Sequence, residues 1–111
     1  MKFYRSERVQ SLIRERLSWL ILREIEIPGA LLTITEVEVS KKLEHARVRV
    51  SVLPSEKAPE ALRELTRRAG ELQFMLSREM NIKPMPRIAF EIDHGLENAA
   101  KVEKALLGEN E

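Results

Sequence analysis

His45-Ala46-Arg47-Val48-Arg49-Val50-Ser51-Val52 is the stretch that decides the fold. Ala46, Val48, Val50 and Val52 alternate with His45, Arg47, Arg49 and Ser51. A period of two sends each set to its own side of a β-strand. One side is wholly apolar and the other wholly polar, the pattern of a sheet with one packed face and one open face. Immediately before it, Leu31 to Val39 is rich in β-branched residues and reads as a second strand. Its alternation changes phase: Leu32 and Ile34 belong to one face, Val37 and Val39 to the other. A bulge near Thr35-Glu36 would explain this, and so would cover on both faces. The short connection Ser40-Lys41-Lys42-Leu43-Glu44 makes the two strands an antiparallel hairpin.

Working outward, Val9, Leu12, Ile13, Leu17, Leu20 and Ile21 recur at the three-four spacing of an amphipathic helix from Ser6 to about Ile25. Ser6 is the expected N-cap, with Glu7 well placed against the helix dipole. Arg8, Arg14, Glu15 and Ser18 lie on the opposite face, and Trp19 is expected at the edge of the apolar stripe. Pro28-Gly29 ends the helix in a turn. On the other side, Pro54 to Pro59 reads as a loop, and Pro59 suits the first turn of a helix. Leu62, Leu65, Ala69, Leu72 and Leu76 form a second stripe that runs to about Met80. Gly70 interrupts it at a cost of about 1 kcal/mol relative to alanine, so a kinked pair of helices broken at Gly70 is expected. Asn81 to Pro86 is a loop. Arg87 to Asp93 is a third strand with Ile88, Phe90 and Ile92 inward. The order α-β-β-α-α-β is that of an α+β domain, a three-stranded sheet with helices on one face. Residues 1–93 form the expected domain. Residues 94–111 form a tail, partly helical or disordered, whose helical pattern is Ala99, Val102, Ala105 and Leu106.

The chain has 111 residues and no cysteine, which excludes disulfides and thiolate metal sites and suits a reducing cytoplasm. No run is apolar for the roughly 18–20 residues that a membrane helix needs. The 19 basic and 18 acidic side chains nearly cancel. They are unevenly spread: ten Lys/Arg face seven Glu in residues 1–53, and two Lys face four Glu in residues 94–111.

Catalytic chemistry finds little to use. The two histidines, His45 and His94, lack a nucleophile or a third metal ligand at any known spacing, and the four glycines are too scattered for a phosphate loop. Met75, Met80 and Met85 read as core fillers. No catalytic residue, metal or cofactor is expected, and no small-molecule substrate. The remaining candidates are basic. Lys41 and Lys42 sit in the hairpin loop, and Arg47 and Arg49 share one strand face. Arg67 and Arg68 precede Gly70, and Arg78, Lys83 and Arg87 flank the last loop. They are either solubilising charges paired with glutamates, or cations that neutralise RNA phosphates. With only Phe3, Tyr4 and Trp19 to stack on bases, backbone and shape recognition of structured RNA is the expected mode.

Several stretches together resemble one bacterial family, the ribosome-binding factor A family, from Arg5 to about Leu107. They are Arg5-x-x-Arg8-Val9, Arg23-Glu24-Ile25, Leu32 to Ser40, Leu43 to Val48 with Val50 to Leu53, and Pro86-x-Ile88-x-Phe90 before Asp93. The resemblance implies a type II KH-like fold without a GxxG loop. In its place it implies an Ala-x-Gly kink, which here reads Arg68-Ala69-Gly70. It implies a non-catalytic, monomeric factor that binds the free 30S subunit near the decoding region and neck. It also implies assistance with late maturation of 16S rRNA, its 5′ end included, and a role in cold adaptation. Matching basic positions extend the RNA-binding candidates to Arg5, Arg8 and His45, and reinforce Arg47 and Lys83. Gln73 and Asn81 stand where the family is usually basic. A generic KH-like RNA-binding or protein-interaction module is the alternative, since near-zero net charge suits a protein partner.

Overall fold

The computed structural model describes residues 2–95 and Leu106, with side chains from Arg5 onward. Its elements are α1 (Lys2–Glu24), β1 (Leu31–Val39), β2 (His45–Leu53), a single 3-10 turn (Ser55–Lys57), α2 (Ala58–Arg67), α3 (Ala69–Met80) and β3 (Arg87–Ile92). This is the expected α-β-β-α-α-β order. The tail pattern Ala99, Val102 and Ala105 lies outside the described residues. Among the described residues no helix is long and apolar enough to cross a membrane.

The sheet runs β1-β2-β3, with β1 antiparallel and β3 parallel to the central β2. Ala46, Val48, Val50 and Val52 are all buried, as their alternation requires. Of the two explanations for the phase change in β1, the bulge is the one found. The register jumps between Ile34, opposite Val50, and Glu36, opposite Arg49, leaving Thr35 unpaired. The extra residue rotates Val37 and Val39 onto the core face that Ile34 already occupies. The Thr35 hydroxyl donates to Asp93 Oδ2 at 2.7 Å and lies 3.3 Å from the Arg49 carbonyl, so the bulge is tied across β2 to the end of β3.

α1, α2 and α3 lie on one face. α1 buries Val9, Ile13, Leu17, Leu20 and Ile21, while Leu12 is partly exposed. The helix begins at Lys2, earlier than expected, and Ser6 lies inside it. Instead of capping the helix, the Ser6 hydroxyl reaches the Val39 carbonyl at 3.4 Å, and Gln10 Oε1 accepts the Val39 N–H at 3.0 Å. The first turns of α1 are thereby pinned to the hairpin end of β1. Trp19 stands clear of the stripe edge, 67% exposed.

The kinked helix pair is present, with Ala58, Ala61, Leu65, Leu72 and Leu76 buried. Its non-helical residue is Arg68 (φ −94°, ψ 1°), and Gly70 is the second residue of α3. Nothing lies within 4 Å of where a Gly70 Cβ would be, so close packing does not require that glycine. Met75, Met80 and Met85 pack half-buried against the core. α3 ends on Asn81 in the left-handed region (φ 49°), which asparagine tolerates better than most residues. Gln73 anchors the loop that follows: its amide donates to the Pro86 carbonyl at 2.9 Å and accepts the Ile88 N–H at 2.8 Å.

Candidate nucleic-acid interface

The hairpin is built to push its lysines outward. Ser40 makes four hydrogen bonds that close the turn: its N–H to the His45 carbonyl, its carbonyl from Leu43 N–H, and its hydroxyl oxygen from the N–H groups of Glu44 and His45. Leu43 adopts φ 60° and is buried. That backbone costs a leucine about 1–2 kcal/mol, and burying its side chain returns about 1.5–3 kcal/mol, so the turn holds. With Leu43 folded inward, Lys41 and Lys42 occupy the exposed tip.

The same end of the sheet collects several other cations. Because β3 runs parallel to β2, both start here: His45 pairs in register with Arg87, and Arg87 N–H donates to the Glu44 carbonyl at 2.9 Å. The loop carrying Lys83 leads directly into Arg87. The α1 turns carrying Arg5 and Arg8 are held nearby through Ser6 and Gln10. Arg5, Arg8, Lys41, Lys42, His45, Lys83 and Arg87 are all exposed. None of them forms an ion pair among the described residues. The acids of these segments, Glu7, Glu38 and Glu44, leave an excess of positive charge at this end.

The remaining candidates are placed differently. On the open sheet face Arg47 lies 3.5 Å from Glu91, and Arg49 binds Glu91 at 2.7 Å and Glu36 at 3.2 Å. Asp93 adds a further negative charge beside Arg49. Its carboxyl is held below the usual carboxylate range by the Thr35 hydroxyl, the Gly95 N–H and the nearby Arg49. Arg67 is held by Glu64 on its own helix, with Nε 3.1 Å from Oε2. Arg68 is only 17% exposed: it donates to the Glu24 carbonyl at 2.7 Å and reaches the Glu24 carboxylate at 3.4 Å and Glu71 at 2.8 Å. It closes the C-terminus of α1, where carbonyls lack helical partners. Arg23 and Arg68 together hold the Glu24 carboxyl below its ordinary value. Arg67 and Arg68 therefore serve the helix junction. Arg78 lies over the exposed Phe74 ring, 5.8 Å from its centroid, at the C-terminal end of α3.

The structure thus brings seven of the eleven candidates to one end of the sheet and leaves Arg47, Arg67, Arg68 and Arg78 elsewhere. Charge clustering along the chain did not single out Arg16 and Arg23, which lie exposed on α1. Helical spacing, applied to the polar face as it was to the apolar one, would have found them.

Comparison with known proteins agrees with this architecture. The ribosome-binding factor A family model matches residues 5–106. The ribosome-binding factor A of Caldanaerobacter subterraneus is 36% identical over 93% of this chain and 87% of its own. That of Dictyoglomus thermophilum is 35% identical over 92% and 88%. The crystal structure of ribosome-binding factor A from Thermus thermophilus superposes with a TM-score of 0.69 at 27% identity, over 78% of this chain and 94% of that one. A Thermus thermophilus ribosome-binding factor A model fitted into the cryo-EM map of its complex with the 30S subunit gives a TM-score of 0.66, also at 27% identity, over 76% and 90%. With its sequence matched over nearly its whole length and its fold matched to solved members, this chain belongs to the ribosome-binding factor A family.

Proposed function

We propose that this chain is a non-catalytic, monomeric assembly factor of the cytoplasm that docks on the free 30S subunit. There it holds small-subunit rRNA helices in one arrangement while late maturation, including 5′-end processing of 16S rRNA, goes forward. The observation that carries the proposal is the collection at the hairpin end of cations without an ion pair among the described residues, from Lys41, Lys42, Lys83, Arg87 and the first turns of α1. Unpaired guanidinium and ammonium groups on a rigid frame can neutralise phosphates without first giving up a carboxylate. Arg47 contributes less, because Glu91 competes for it. The Thermus relative seen with the 30S subunit supports this choice of partner.

The test is sedimentation of the purified chain with free small subunits, and separately with intact ribosomes, over a salt series. Selective co-migration with the free subunit is expected. Each phosphate contact should add slightly less than one unit to the slope of log affinity against log salt. Binding that persists unchanged in high salt would favour a protein-interaction module instead. For the maturation step, cells lacking the protein should accumulate small-subunit rRNA with unprocessed 5′ ends, most visibly in the cold.

A further inference from the structure

α1 carries a second, arginine-rich pattern besides the apolar one that packs. Arg5, Arg8, Leu12, Arg16, Trp19 and Arg23 follow each other at intervals of three or four residues. At 3.6 residues per turn they fall within an arc of about 80°, along about 27 Å of helix. This stripe is rotated about 120° from the buried one. Every member is exposed, Trp19 by 67%. Arg5, Arg8 and Arg16 have no ion pair among the described residues. Arg23 shares the Glu24 carboxylate with Arg68, so two guanidinium groups meet one acid there. Glu15 and, through Arg23, Glu24 are the acids beside the stripe among the described residues.

An indole left in water amid arginines adds little packing to the fold, since α1 is anchored through the buried stripe. We propose that this stripe of α1 binds a single-stranded segment of RNA, with one unpaired base stacked on Trp19 and its flanking phosphates on Arg16 and Arg23. The inference rests on the proposed RNA-binding function and adds to it a contact to a base, where the hairpin end offers only charge. Arg16 and Arg23 lie one helical turn to either side of Trp19, so a base on the indole brings the phosphates on both its sides within reach of a guanidinium. Stacking accepts any base, because each has a π-face, and the arginines can add cation–π contact to it. The excess of arginine over acid on this face favours a polyanion over a protein as the occupant.

Trp19 is the only tryptophan in the chain, so its emission reports on this face alone. The full chain should be titrated at low salt with an unstructured oligoribonucleotide of roughly ten nucleotides, a length within the usual site sizes of single-strand binders. Saturable quenching of the emission is expected. Read for every variant by the anisotropy of a dye-labelled oligomer, affinity should fall about tenfold in Trp19→Ala, be largely restored in Trp19→Phe, and fall again in Arg16→Glu. Binding without a change in emission would overturn the proposal. So would weaker subunit binding by Trp19→Ala with Arg16→Glu neutral and the oligomer silent, which would assign the stripe to a ribosomal protein. Charge reversal of Lys41 and Lys42 in the sedimentation assay reads the hairpin end separately, so failure of the stripe leaves the proposed function standing.

Discussion

The open face of the sheet and the end of the same sheet carry similar cations put to opposite use. On the face, Arg49 is clasped by Glu36 and Glu91, and Arg47 leans on Glu91. The charges there cancel one another in a ladder that crosses all three strands. At the end, Lys41, Lys42, Lys83 and Arg87 face water with no such partners among the described residues. On this sheet a basic residue held by an acid across the strands works for the fold, and one without a partner among the described residues is free for another molecule. Counting charges along the chain cannot separate the two kinds; cross-strand register and turn geometry do.

The strongest way to break the contrast is at the tip of the hairpin. Lys41→Glu with Lys42→Glu should weaken binding to the free small subunit about a hundredfold at low salt and flatten the salt dependence by about two contacts. Thermal unfolding should be unchanged, because neither side chain touches the core. Binding equal to the unmodified chain would remove the hairpin from the interface. Next in size, Arg68→Ala should cost about 2 kcal/mol in chemical denaturation. It strips a charged donor from the Glu24 carbonyl and leaves a half-buried carboxylate short of a partner. Affinity of the folded protein for the subunit should not move; a loss of binding at full stability would place Arg68 among the contacts after all.

Acid provides a third, smaller effect. The carboxyls of Asp93, Glu24 and Glu64 all have lowered pKa values in the folded state, through Thr35, Arg23 and Arg67 respectively. A group more acidic when folded than unfolded contributes fully above its unfolded pKa. It loses that contribution as the pH falls through its folded pKa. Stability should therefore be flat near neutrality and decline from the ordinary carboxylate range downward. Asp93→Asn should be the less sensitive to that decline, measured by melting temperature across the series. The smallest effect is expected at Arg49→Gln. Exposed ion pairs contribute little, so stability should barely change and subunit binding should fall by less than twofold. A large binding defect there would erase the distinction between face and end.

Much of this is legible in the residues. The alternation of β2 makes it one-sided, and the phase slip at Thr35-Glu36 narrows β1 to a bulge or to cover on both faces; the central place of β2 and the choice between the two explanations come only with the strand pairing. Glu64 and Glu71, three residues from Arg67 and Arg68, are also visible as local partners, and that spacing is the available sign that neither arginine is free. The capture of Arg49 by Glu91, 42 residues away, depends on β3 lying parallel to β2, which no local pattern specifies. The same holds for Ser6. Its type and place fit a helix cap, and only the approach of Val39 explains its true partner. Trp19 misleads because its hydrophobicity suggests packing at the edge of the stripe, whereas its angular position on α1 leaves it in water.

Two glutamines have a consequence for how this small sheet stays solitary. Both margins of a three-stranded sheet present backbone donors on which a stray strand could template itself, a hazard that natural sheets commonly blunt. Gln10 occupies the Val39 donor on one margin, and Gln73 occupies the Ile88 donor on the other. Each is a side-chain amide lent by a helix, imitating the peptide of a missing neighbour. A foreign strand seeking to lengthen the sheet at these rungs would first have to evict one of them.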